Sequence, residues 1–284
     1  MTMTDSAGND PADVLRAARE TLRVERRRTV DEREAFEAFR ARVRRVSTGT
    51  AAIGDGSRLR SDGAGREVYK SSTTAGASRL PGTDDRLVAG NPLVTIRDAY
   101  VDTVMSVPHY DEEYDDTYET GLAAEFGPDL AVALTREPTL DDRSKSALLS
   151  KTDEAVDERE RLLDALDTEA ESVDRAADRL SSICDEIATL AETDLDDRRF
   201  GTLDAYRVRT LTLEDGCDSV AARRQREFAG IGRSLQLSDS VPDLATYCYH
   251  DLSVTYPVLA AVGAVGDRLA ELRREVEREM IHRR

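Results

Sequence analysis

Apolar residues recur by seven along much of this chain, and that spacing predicts long helices lying against one another. The first runs from Pro11 to about Val46, where no glycine or proline intervenes. Leu15 and Leu22, then Phe36 and Val43, form its seam, with Ala18, Phe39 and Val46 beside them. Glu25, Thr29 and Glu32 interrupt the seam in the middle. Asn9-Asp10 before Pro11 supplies the start signal, since proline suits the first helical position. A second helix is predicted over 139–193, capped by the Thr139 hydroxyl and Asp142. In it Leu149, Val156, Leu163, Ala170, Ala177 and Cys184 hold one heptad position. Leu166, Val173, Leu180 and Ile187 hold the other, preceded by Thr152 and Arg159. At about 1.5 Å per residue this is a rod of roughly 70 Å. Further helices are predicted over 203–232, with a kink at Gly216, over 243–252, and over 257–284. The last has Val262, Leu269 and Val276 beside Val258, Val265 and Leu272 as its seam, and Ala260, Gly263, Ala264 and Gly266 as a place for close crossing.

The centre of the chain, Ile96 to Leu134, follows a shorter rhythm. Ile96, Tyr100 and Val104 are spaced by four until Pro108 breaks the pattern. Tyr110, Tyr114, Tyr118, Leu122 and Phe126 continue the spacing and predict one apolar stripe. Gly127-Pro128 then forms a stop, glycine taking the left-handed position and proline opening the next turn. Two or three short helices joined at proline and glycine corners are expected over 91–138. Between the first helix and this motif, 48–90 is rich in Gly, Ser and Thr and is read as flexible linker or irregular surface. Its glycines fit neither a Walker motif nor a strand–GxGxxG–helix context.

The resulting fold class is all-α: an elongated antiparallel helical bundle or coiled coil with a short-helix cap and a flexible Gly/Ser/Thr-rich segment. The domain organisation is an N-terminal long helix over 1–47, the segment 48–90, and a helical domain over 91–284.

Composition changes the picture through charge. Acids outnumber bases 57 to 40, for a net charge of −17, and only Lys70, Lys145 and Lys151 are lysine. An acidic, lysine-poor composition is that of cytoplasmic proteins of extreme halophiles, whose charge repulsion is screened in molar salt. A GC-rich genome accounts for arginine in place of lysine but not for the acid excess. Net charge is then a poor guide to partners. Cys184, Cys217 and Cys248 are far apart with no CxxC, so buried reduced thiols are expected, not a zinc site or disulfide framework. The N-terminus lacks a signal pattern, and the longest apolar run, Val258 to Gly266, is about half of the ~20 residues a bilayer crossing needs. A cytoplasmic protein without a membrane span is expected.

Candidate chemistry is sparse. From Asp98 to Asp142 there are thirteen acids and one base, Arg136. His109, with Asp111, Glu112, Glu113, Asp115 and Asp116, and with Glu125 and His250 as further candidates, offers metal-ligand types, but without an HExxH or paired Glu-x-x-His pattern. No catalytic residue, metal ligand or cofactor is assigned. A helix-turn-helix over Pro128–Leu134 and Thr139–Leu149 would have only Arg143, Lys145 and Lys151 as cations, so nucleic acid is possible but not favoured. The first helix carries eleven arginines against seven acids. Pairing with acids on a neighbouring helix is the simpler reading of them. Seven of nine tyrosines lie in two clusters, Tyr100 to Tyr118 and Tyr247 to Tyr256, each with a histidine. Because a tyrosine joins an apolar ring to a hydroxyl that needs a partner, the clusters are expected to pack together as a cap. The candidate binding corner is His109, Tyr110, Tyr114, Glu125 and His250.

The segment DAYVDTVMSVPHYDEEY…LAAEFGPDLAVAL, together with TYPVLAAV, resembles a domain of unknown function found in haloarchaeal proteins. The resemblance spans most of the chain outside 47–90, implies an all-helical halophilic protein, and transfers no catalytic residue. The expectation is a non-enzymatic interaction, scaffold or regulatory protein that binds a protein partner or self-associates through its long helices. A DNA-associated transcriptional regulator and a metal-dependent enzyme using the His109 segment are the alternatives.

Overall fold

A computed structural model describes residues 10–48, 91–192, 194–195, 198–234 and 244–283. Among these residues the fold is all-α, with no strand. The segment 48–90 read as a linker lies, except for Thr48, outside the described residues. The chain divides into two compact units, one of Met1–Glu34 with Ala155–Arg284 and one of Ala35–Glu154. Helices α1 (Pro11–Arg45) and α6 (Asp142–Ala191) contribute to both.

In the first unit these two helices join α7 (Phe200–Ser234), α8 (Leu244–Cys248) and α9 (Pro257–His282). One apolar cluster holds them together. It includes Leu15 and Leu22 of α1, Val173 and Leu180 of α6, Leu213 and Cys217 of α7, Cys248 of α8, and Val265 and Leu269 of α9. Ion pairs fix α1 antiparallel to α6: Arg19 meets Asp174 at 2.5 Å, Arg26 meets Asp167 at 2.6 Å, and Glu32 meets Arg159 at 3.1 Å. Arg19 and Arg26 of α1 are thus matched by acids on α6, while Arg16 and Arg23 pair with Asp13 and Glu20 of α1 itself.

The polar interruption of the α1 seam is satisfied residue by residue. Thr29 donates its hydroxyl to the Glu25 carbonyl at 2.9 Å, and Glu25 accepts from the Tyr247 hydroxyl. On α6 the buried face differs from the predicted pair of rows. Leu166, Val173, Leu180 and Ile187 are buried, but Ala170, Ala177 and Cys184 are only half-buried. The second buried row is Glu169, Ala176 and Ile183. The reason is Glu169: heptad counting scores a carboxylate as solvent-facing, whereas here it is paired inside.

Two details of the later helices also differ from expectation. Gly216 does not break α7; a Cβ there would stand 3.3 Å from both Ile183 Cδ1 and Arg179 Nη2, so the glycine permits close approach to α6. Gly263 and Gly266, read as a crossing point, would meet nothing. The packed face of α9 is instead Val258, Ala261, Val265, Leu269, Leu272 and Val276.

The second unit contains the short-helix motif: α2 (Pro92–Val101), a 3₁₀ turn at Val104–Ser106, α3 (Tyr110–Glu113), α4 (Tyr118–Phe126) and α5 (Pro128–Arg136). Asn91 caps α2 by accepting from the Leu93 N–H at 3.0 Å, with Pro92 in the first turn. Thr117 caps α4, accepting from the Thr120 N–H. The predicted tyrosine stripe is broken: Asp115 takes φ +43°, a left-handed conformation that aspartate tolerates, and separates α3 from α4. Tyr110 is consequently buried and Tyr114 exposed. Gly127 ends α4 and precedes Pro128 at φ +87° and ψ 154°, so φ is positive as expected, but ψ lies outside the left-handed helical region. The cap of α6 is Asp141, not Thr139: its carboxylate accepts from the Ser144 N–H at 2.7 Å, and hydrogen bonding from the Ser144 hydroxyl and then from this N–H lowers its pKa. The core of this unit is aromatic. Phe39 of α1 stacks on Phe126 at 6.0 Å and meets Tyr100 edge-on at 5.3 Å.

Gly121 lies beside that core, where a Cβ would stand 2.8 Å from Tyr110 Oη and 3.3 Å from Tyr100 Oη. Alanine for glycine inside a helix normally gains about 1 kcal/mol. Gly263→Ala, in open space, should show a gain of that order in urea unfolding. Gly121→Ala should instead lower stability, because two buried tyrosines must retreat; an equal gain at both positions would refute the close approach.

Candidate functional site

The corner expected around His109 is assembled in part. His109 is buried at the start of α3, directly before buried Tyr110. The Tyr110 and Tyr114 rings lie 5.4 Å apart. Burial, then the negative charges of Asp116, Glu125 and Asp111, raise the pKa of Tyr110. That phenol therefore stays protonated near neutral pH. Tyr118, nearby, has its pKa pushed up to about 12, chiefly by burial. His250 belongs to the other unit. It is exposed, with Nδ1 2.9 Å from the Tyr247 carbonyl and Nε2 3.3 Å from Asp251. The two tyrosine clusters thus fall in different units, each with its own packing: Tyr100 meets Phe39, while Tyr249 is buried in the first unit's core. Among the described residues no three His, Cys, Asp or Glu side chains are grouped to hold a metal ion.

Two of the three cations of the helix-turn-helix candidate are engaged within the chain. Lys145 donates to the Arg44 and Val46 carbonyls at 3.2 and 2.6 Å, capping the end of α1. Lys151 pairs with Glu154 at 2.5 Å.

A more specific arrangement lies in the first unit, and sequence reasoning missed it. Glu169 of α6, fully buried, receives both terminal nitrogens of Arg224 from α7. It also accepts from the Tyr249 hydroxyl at 2.6 Å. Arg224 donates to the Ser172 hydroxyl at 2.7 Å and lies over the Phe228 ring at 3.8 Å. Ser172 in turn donates to Glu227, which Arg175 and Arg223 also reach at 3.2 and 2.9 Å. Burial by itself would raise the Glu227 pKa, but the bonds from Ser172, Arg223 and Arg175 outweigh it and hold the carboxyl below its ordinary range. Burial, with the Glu169 charge and hydrogen bond, drives the Tyr249 pKa up, so its proton stays in place. The network needs three elements at once, and the only trace of it in the sequence is an acid at an otherwise apolar heptad position.

Comparison with known proteins identifies a family. A family model described as a domain of unknown function, DUF7260, matches residues 13–273. The chain belongs to the DUF7260 family. No curated protein and no solved structure matches it. The DUF7260 match runs from the first turn of α1 well into α9, so both the His109 corner and the Glu169–Arg224 network lie inside it. No described helix is long and apolar enough to cross a membrane.

Removing one partner of a buried ion pair costs about 3–5 kcal/mol, whereas replacing both by apolar groups is close to neutral. Arg224→Met should therefore destabilise by that amount in urea unfolding, and Glu169→Leu combined with Arg224→Met should recover most of it. A loss below about 1 kcal/mol for the single change would mean that Glu169 is not held as an ion in the core. Burial also raises the thiol pKa values, to about 11 at Cys217 and further at Cys248. Alkylation at pH 8 should accordingly label half-buried Cys184 first and reach the other two only on unfolding; rapid native labelling of Cys248 would contradict its burial.

Proposed function

We propose that this chain is a non-enzymatic helical interaction protein, acting as scaffold or regulator in the cytoplasm of a halophilic archaeon. It binds a protein partner, or a second copy of itself, through an exposed helix face. The supporting observation is on α7. One side of this helix is buried through Leu203, Leu213, Cys217 and Val220. Phe200, Val208 and Leu211 remain 41%, 50% and 37% exposed. At about 100° per residue the three fall within an arc of roughly 80°, facing away from the buried row. A helix with apolar groups on both sides differs from an ordinary surface helix, which is apolar on one. Clustered exposed apolar side chains of this kind mark interaction surfaces.

The acidic, lysine-poor composition supports the halophilic part of this reading. In molar salt the screening length is about 3 Å, so long-range charge steering is weak and apolar contact becomes the stronger source of association.

Val208→Asp with Leu211→Asp places charge on that face at positions where unfolding stability should change by less than about 0.5 kcal/mol each. In molar potassium chloride the unmodified chain should sediment as an oligomer, or cross-link to a partner in native cells. The double variant should lose that association while unfolding at the same urea concentration. A chain that sediments as a monomer and whose cross-linked species are unaffected by the double change would sink the proposal.

A further inference from the structure

Between α6 and α7, beside the buried ion pair, lies a groove of about 280 Å³. Arg175, Arg179, Arg223 and Arg224 line it, with Glu227 as the single acidic side chain in the lining. In a chain of net charge −17 this is a local reversal of sign. We propose that the groove is a binding site for a small organic phosphate monoester.

The charge balance supports an anion. Arg224 is matched by Glu169 beneath the groove, and Arg175 and Arg223 share the one carboxylate of Glu227. Glu171 also reaches Arg175 at 3.3 Å but is 74% exposed, so solvent screens it strongly. Arg179 has no carboxylate within ion-pair reach among the described residues; its guanidinium instead rests where Gly216 leaves room, 3.3 Å from the site of a Cβ. Four guanidinium groups thus face three carboxylates, Glu169, Glu227 and the solvent-screened Glu171, which leaves the groove net positive toward a ligand. Planar guanidinium forks match phosphate oxygens in pairs, and that match gives geometric specificity as well as attraction.

Two further features suit such a ligand. Arg224 is 2% exposed, and its Nε is buried without a hydrogen-bond partner. An unmade bond on a buried donor is costly, so a nearby acceptor is favoured. The floor of the groove is apolar, with Ala176 and Val220 buried in it, which suits a carbon body attached to the phosphate. Glu227 is bonded to Ser172, Arg175 and Arg223 as a ligand oxygen would be. A phosphate entering the groove competes with Glu227 for Arg175 and Arg223 and gains Arg179, which Glu227 does not reach.

The test is a titration of the full chain with phenyl phosphate, followed by phosphorus NMR line broadening and calorimetry. Inorganic phosphate and benzyl alcohol serve as the head-only and body-only probes. Phenyl phosphate should bind saturably and at least ten times more tightly than either. Arg179→Gln should weaken it about tenfold or more without changing the unfolding midpoint, while Arg143→Gln, on an exposed residue of the other unit, should leave it unchanged. Glu227→Gln, which removes the internal competitor, should tighten it several-fold. Absence of saturable binding, or binding equally strong in Arg179→Gln and the unmodified chain, would overturn the proposal. Neither result depends on whether the chain associates through α7.

Discussion

A carboxyl side chain with no exposure sits in the core of this protein, and much of the first unit is arranged to accommodate it. Glu169 lies on the buried face of α6, where an unpaired charge would cost several kcal/mol. Arg224 neutralises it with two bonds, and Tyr249 supplies a third. Those partners come from α7 and from the end of α8, so one charge ties three elements together. Sliding α7 by a single turn, about 5.4 Å, would strand both ions in the core. Leucines alone tolerate such shifts more readily, because one apolar contact can replace another. The pair therefore selects the register that the apolar seam only favours.

The same logic extends outward from the pair. Arg224 bonds Ser172, Ser172 bonds Glu227, and Glu227 gathers Arg175 and Arg223 at the surface. The polar network thus runs from a dry interior to an arginine-lined groove. Gly216 contributes by letting Ile183 and Arg179 of α6 approach α7 where any side chain would stand in the way. The outer face of α7 is separate from this network and leaves Phe200, Val208 and Leu211 exposed.

The pairing of α1 with α6 rests on a different balance. Its cross-helix ion pairs are mostly half-exposed, each worth at most about 1 kcal/mol. Their role is to match opposite charges along an antiparallel seam whose stability comes from Leu15, Leu22, Val173 and Leu180. Glu32 and Arg159 differ, because their side chains are only 16% and 14% exposed where the seam turns polar. A polar pair held away from water favours one alignment over its neighbours.

Periodicity was enough to reveal the long helices, the all-α class, the proline starts at Pro11, Pro128 and Pro257, and the stop at Gly127. These depend on local rules: a seven-residue apolar repeat buries one face, proline opens a turn, and glycine accepts positive φ. The arginines of α1 were legible too, since opposite charges on facing helices seek each other. Other features were fixed only by tertiary contact. The break at Asp115 buried Tyr110 and exposed Tyr114 against their common spacing. Asp141 took the cap expected of Thr139 because α6 begins at Asp142, where only Asp141 can reach the Ser144 N–H. The Glu169–Arg224–Tyr249 network stayed hidden because its members stand 55 and 80 residues from Glu169. A heptad reading assigns each residue a side of its own helix, but whether a charge on that side meets water or a partner is decided by the helices that pack against it.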